Sequence, residues 1–105
     1  MLEQLAKALI DAVNALDAAL DALEKILKNP KSKTFAADVE KAKAKVKLAL
    51  ATTKTAKSAL DAEMTKIENA TKGKRDQATE ARLEKAFDAI LAAVPVIMDA
   101  EEIVK

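Results

Sequence analysis

Residues 35–71 read FAADVEKAKAKVKLALATTKTAKSALDAEMTKIENAT, without one Gly or Pro. Apolar or small residues recur at Val39, Ala42, Val46, Ala49, Leu50, Thr53, Ala56, Leu60, Met64 and Ile67. The spacing alternates three and four, which paints one stripe along an α-helix. A helix over this stretch is roughly 55 Å long at about 1.5 Å per residue. A single helix of that length needs neighbours packed along it. The flanking segments share its period, which predicts an all-α, up-down-up antiparallel three-helix bundle with a long central helix, crossing left-handed at roughly 20°. The whole chain, 1–105, is expected to form one domain.

The weak point of the central helix is Thr52-Thr53-Lys54-Thr55. Three Thr in four residues lower helix propensity by roughly 0.5 kcal/mol each against Ala. With no Gly or Pro beside them, the helix is expected to continue, Thr53 bonding back to a carbonyl of the preceding turn.

Working outward, residues 2–28 form the first expected helix. Leu2, Leu5, Leu9, Ala12, Val13, Leu16, Ala19, Leu20, Leu23, Ile26 and Leu27 make its stripe, and Ile10 falls off it. Asn29-Pro30 stops it, because a residue before Pro is pushed out of the α region. Ser32 or Thr34 is expected to cap the central helix (34–71) through its hydroxyl. Gly73, the single Gly of the chain, stands where a helix end favours a positive φ. The third helix is expected over 76–104, with Leu83, Ala86, Phe87, Ile90, Val94, Ile97 and Val104 inward and Leu91 and Met98 widening the apolar face. Pro95 removes one backbone bond, so a kink is expected there and no full stop. The run Ala89–Met98 is apolar all round, and is expected to be core in preference to an interface between copies. Half-covered ends of the long helix predict a monomer that associates weakly at high concentration.

Composition narrows the chemistry. The chain has no Cys, His, Trp or Tyr. That removes the thiolate nucleophile, the usual general base near neutral pH and the commonest metal ligands. No Glu-x-x-His pair, Ca2+ loop, phosphate loop or Gly-x-Ser-x-Gly elbow is present. No catalytic residue, metal ligand or cofactor site is therefore assigned, and Lys54 with Ser58, four apart, reads as an exposed face. Met1-Leu2-Glu3 has no basic segment leading into an apolar core, so no signal peptide is expected and, in a cell, the cytoplasm. The ten-residue run Ala89–Met98 is too short to span a bilayer.

Charge is unevenly laid out. The overall net charge is +1. Residues 1–28 carry a net −2, residues 29–60 +6 and residues 61–105 −3. Lys41, Lys43, Lys45, Lys47, Lys54 and Lys57 form a ladder with no acid among them. It is a candidate anion-binding strip for phosphates or anionic lipid. The stretch has no Arg and no aromatic, and the every-second spacing spreads charge round the helix, so nucleic acid is a poor fit. Charge complementarity with the acidic helices on either side accounts for the ladder more simply.

The segment from Leu16 to Leu27, LDAALDALEKIL, resembles the helices of computationally designed (de novo) helical bundles, as does the whole chain in composition and loop chemistry. Spectrin-type repeats share the length and helix count but carry a Trp that is absent here. The resemblance implies a structural or artificial scaffold with no catalytic activity. Two alternatives stand beside it: an interaction module using the basic central helix on an anionic partner, and a carrier of apolar ligand in space left by Ala42, Ala49, Ala56, Ala86 and Ala93.

Overall fold

The computed structural model describes residues 2–72, 74 and 76–104. Three helices and, among the described residues, no strands make up the fold: α1 (Leu2–Leu27), α2 (Phe35–Ala70) and α3 (Gln77–Ile103). Each helix packs on both others, with the most extensive contact between α1 and α2. The result is an all-α three-helix bundle with a long central helix, 62 × 19 × 17 Å. α2 alone accounts for about 54 Å of that length. α1 and α3 run parallel, since Glu3 and Arg82, each in the first turns of its helix, form an ion pair. α2 runs against both.

The Thr cluster does not break α2. Thr52 donates to the Leu48 carbonyl at 3.1 Å, and Thr53 to the Ala49 carbonyl at 2.8 Å, both one turn back. The Thr53 hydroxyl is fully buried and also reaches the Ala12 carbonyl of α1 at 3.2 Å. Its one proton is shared between the two carbonyls, so a residue that weakens the helix locally also fixes the level of α1 against α2.

Two local expectations are corrected. Thr34 occupies the position before α2, but its hydroxyl donates to Asp38 Oδ2 at 2.8 Å and makes no cap bond. Ser32 Oγ accepts from the Thr34 N–H at 3.3 Å, one residue short of the helix. The Thr34 backbone (φ −104°, ψ 16°) lies outside the extended region usual for a capping residue, and no N–H of the first turn reaches its hydroxyl oxygen. At the far end, Thr71 closes α2, its N–H and hydroxyl both donating to the Ile67 carbonyl. The expected role of Gly73 lies outside the described residues. Asp76 caps α3, its Oδ1 accepting from the Thr79 N–H at 2.8 Å. α3 remains helical through Pro95.

The core consists of Leu2, Leu9, Leu16, Leu20 and Leu23 from α1, Val46, Leu50, Leu60 and Met64 from α2, and Leu83, Ile90 and Ile97 from α3. Ile10 stands off the stripe and is exposed; Leu27, expected on it, is exposed as well. α3 departs further. Its inward face is Leu83, Ala86, Ala89, Ile90, Ala93, Ile97 and Ala100. Phe87, Leu91 and Met98 are 51%, 52% and 63% exposed. The helix is thus turned by over half a residue's rotation from the facing that side-chain size suggests, and the run 89–98 is divided between core and surface. Alanines at 86, 89, 93 and 100 take inward positions beside Leu83, Ile90 and Ile97, and the side chains at 87, 91 and 98 stand outside them.

Candidate functional site

Two ion pairs hold α3 in this rotation. Arg82 clamps Glu3 of α1 through two hydrogen bonds, Nε to Oε1 and Nη2 to Oε2, the second at 3.2 Å. On the other side, Lys54 Nζ of α2 lies 3.4 Å from Glu101 Oε1. Between these flanks the alanines face inward, and the large apolar side chains are left on the outer surface.

Three described groups have displaced titration, and all lie at the surface. The Arg82 guanidinium, chiefly by hydrogen bonding, holds the Glu3 carboxyl below its usual range, and Glu3 raises Arg82 in return. Asp76 is lowered by its hydrogen bonds with Thr79, the side chain first and the backbone N–H second. A helix clamp and a helix cap account for all three.

The lysine ladder divides. Lys54 pairs with Glu101, and Lys57 Nζ pairs with Asp61 Oδ2 at 3.2 Å, so two of the six candidate cations are engaged within the bundle. Lys41, Lys45 and Lys47 are exposed, Lys43 is half-buried, and these four form no ion pair among the described residues. At 100° per residue Lys43 and Lys47 point away from Lys41 and Lys45, so the structure does not bring all six to one face.

Two hollows at the surface lie along helix seams. One of about 300 Å³ lies between α1 and α3, floored by Leu2, Ala6, Ile10 and Ala86 and edged by Lys7, Arg82 and Lys85. Another of about 420 Å³ lies between α2 and α3, where Lys54 and Ser58 meet Val94, Ile97 and Met98. The Lys54 ammonium there is directed to Glu101, and Ser58 is exposed beside it. Of the alanines considered as space for a ligand, Ala86 and Ala93 are fully enclosed, Ala42 is buried, and Ala49 and Ala56 are half-buried. No grouping of acidic side chains suited to a metal ion occurs among the described residues. No described helix is long and apolar enough to cross a membrane.

No protein-family model, curated protein or solved structure matches the chain. What the surfaces can do follows from their geometry. The feature that side-chain size alone does not predict is the outer ridge of α3. The signal for it was present in the positions of Ala86, Ala89, Ala93 and Ala100, which form a three-and-four stripe of their own.

Proposed function

We propose that the protein is a non-catalytic helical-bundle scaffold, a rod whose task is to hold helix faces at fixed spacing. The observation that carries this is the character of the displaced titratable groups. Catalytic sites shift pKa values by burial and close charge pairing inside clefts. Here Glu3, Arg82 and Asp76 are shifted at the surface, by contacts that position helices. Among the described residues every buried side-chain polar atom has a partner, which is how a chain organised around its own core is built. The likeness to designed bundles agrees with a chain organised around its own core.

Thermal unfolding followed by circular dichroism tests this against its rivals. A ligand at a hundred times its Kd stabilises by about 2.7 kcal/mol. In a chain of this size that raises Tm by roughly 10 °C or more. The scaffold reading expects no such shift with EDTA, divalent metals, heparin at physiological salt, or laurate. A rise with heparin would favour the lysine ladder as an anion site. A rise with laurate would favour the apolar carrier.

A further inference from the structure

Phe87, Leu91, Val94 and Met98 follow one another at spacings of four, three and four, the pattern of a helix–helix seam. Three of them are more than half exposed and Val94 is half-buried, so this seam has no partner within the bundle. Beside it, on the side away from α2, runs a second row: Glu84, Asp88, Pro95, Asp99 and Glu102, all exposed. On the α2 side the charges are already matched, as Lys54–Glu101 and Lys57–Asp61. Glu84, Asp88, Asp99 and Glu102 form no ion pair among the described residues, so the seam lies beside an acidic edge. Pro95 adds one more feature. It lacks the N–H that would bond to the Leu91 carbonyl, which leaves an acceptor at the middle of the seam.

We propose that α3 docks a cationic amphipathic helix of another protein, with apolar anchors on Phe87, Leu91, Val94 and Met98 and Lys or Arg against the acidic row. A second copy of this chain fits less well. Antiparallel pairing sets acidic row against acidic row, and parallel pairing sets it against lysines already engaged. The area also argues against a dimer. Four partly exposed side chains over about 17 Å fall short of the roughly 800 Å² per partner of a stable dimer, but match the three or four anchors of a helix laid in a groove. The hollow beside Val94, Ile97 and Met98 gives such a helix a place to seat.

The test uses the full chain and a fluorescein-labelled Leu/Lys amphipathic peptide of roughly five helical turns. Anisotropy titrations are run at ~50 mM and ~150 mM salt, with a Leu/Glu peptide of the same pattern and a scrambled Leu/Lys peptide as comparators. Binding of the amphipathic Leu/Lys peptide alone is expected, weakening with salt. Leu91→Lys and the double variant Glu84→Lys/Asp88→Lys are each expected to weaken it about tenfold or more. Leu48→Lys, on the outer face of α2 at 72% exposure, is expected to change it less than about twofold. All three sites are exposed, and an unchanged circular dichroism melt for each variant shows that the fold persists. Absence of binding overturns the proposal. So does equal binding of the Leu/Glu or scrambled peptide, or equal loss in Leu48→Lys and Leu91→Lys. Sedimentation showing a dimer that is abolished by Leu91→Lys and that the peptide does not displace would assign the seam to a second copy, and overturn it too.

Discussion

Along α1 and α2 most large aliphatic side chains face inward, Ile10, Leu27 and Leu48 being the exposed ones; along α3 alanines share the inward face with Leu83, Ile90 and Ile97, and Phe87, Leu91 and Met98 face out. Leu16 and Leu60 are fully buried, whereas Leu91, an identical side chain on a helix of the same bundle, is half in solvent. A helix can be seated by three large aliphatic residues and a row of alanines and leave a seam free. The α1–α2 pair supplies most of the buried aliphatic volume and α3 completes it.

The contrast is sharpest in truncation. Leu16→Ala or Leu60→Ala should each cost about 2–5 kcal/mol in denaturant melts, by lost transfer energy and a cavity. Leu91→Ala should cost about 0.5 kcal/mol or less, as for other exposed positions. Comparable losses at Leu16 and Leu91 would mean that α3 is rotated from the facing described. Overpacking probes the same point from the other side. Ala93→Leu, at a fully enclosed site, should destabilise by about 1–3 kcal/mol, while Ala92→Leu one residue earlier, exposed, should change little. A tolerated Ala93→Leu would contradict the inward placement of Ala93.

A smaller effect is expected at the α1–α2 contact. Thr53→Val keeps the volume but removes the hydroxyl shared between Ala49 and Ala12, and should cost about 0.5–1.5 kcal/mol. A stabilised variant would show that the cross-helix bond contributes nothing.

The helices were legible because their signals are local and repeated. The apolar period, Asn29-Pro30 and the absence of Gly or Pro across 35–71 each act over a few residues. That the long helix survives its Thr cluster followed from back-bonding to the preceding turn, and Thr52 and Thr53 do so. The cross-helix bond to Ala12 was not legible, because it depends on the level at which two helices meet. The facing of α3 was read in part: Leu83, Ala86, Ile90 and Ile97 are buried as expected, whereas Phe87, Leu91 and Met98, which side-chain size favoured as core, are exposed, and Ala89, Ala93 and Ala100 take inward positions. Of the candidate anion strip, Lys54 is taken up by Glu101, which only the fold brings near, and Lys57 by Asp61, four residues on along the same helix and open to a reading of the sequence. The capping role assigned to Thr34 failed because it depends on the backbone angles at the helix entry, and those of Thr34 are not the extended ones a capping residue usually adopts.

The smallest predicted effect concerns acid. Glu3 and Asp76 are held below their ordinary values of 4.5 and 3.8. Groups lowered on folding contribute stability that is present above those values and lost as pH falls through the lowered folded ones. Stability should therefore decline gently as pH falls below about 4.5, and Glu3→Gln with Asp76→Asn should flatten that decline. An equally steep decline in the double variant would assign the loss to other carboxylates.

The facing of α3 is tested most directly by methionine oxidation in dilute peroxide, followed by peptide mass spectrometry. Met98 is 63% exposed on the free seam and Met64 is 8% exposed in the core. Sulfoxide formation follows access to the sulfur, so Met98 should oxidise at about the rate of a free peptide and Met64 at least about tenfold more slowly. Equal rates, or a Met98 protected as well as Met64, would contradict a bundle that turns its alanines inward and leaves this seam open.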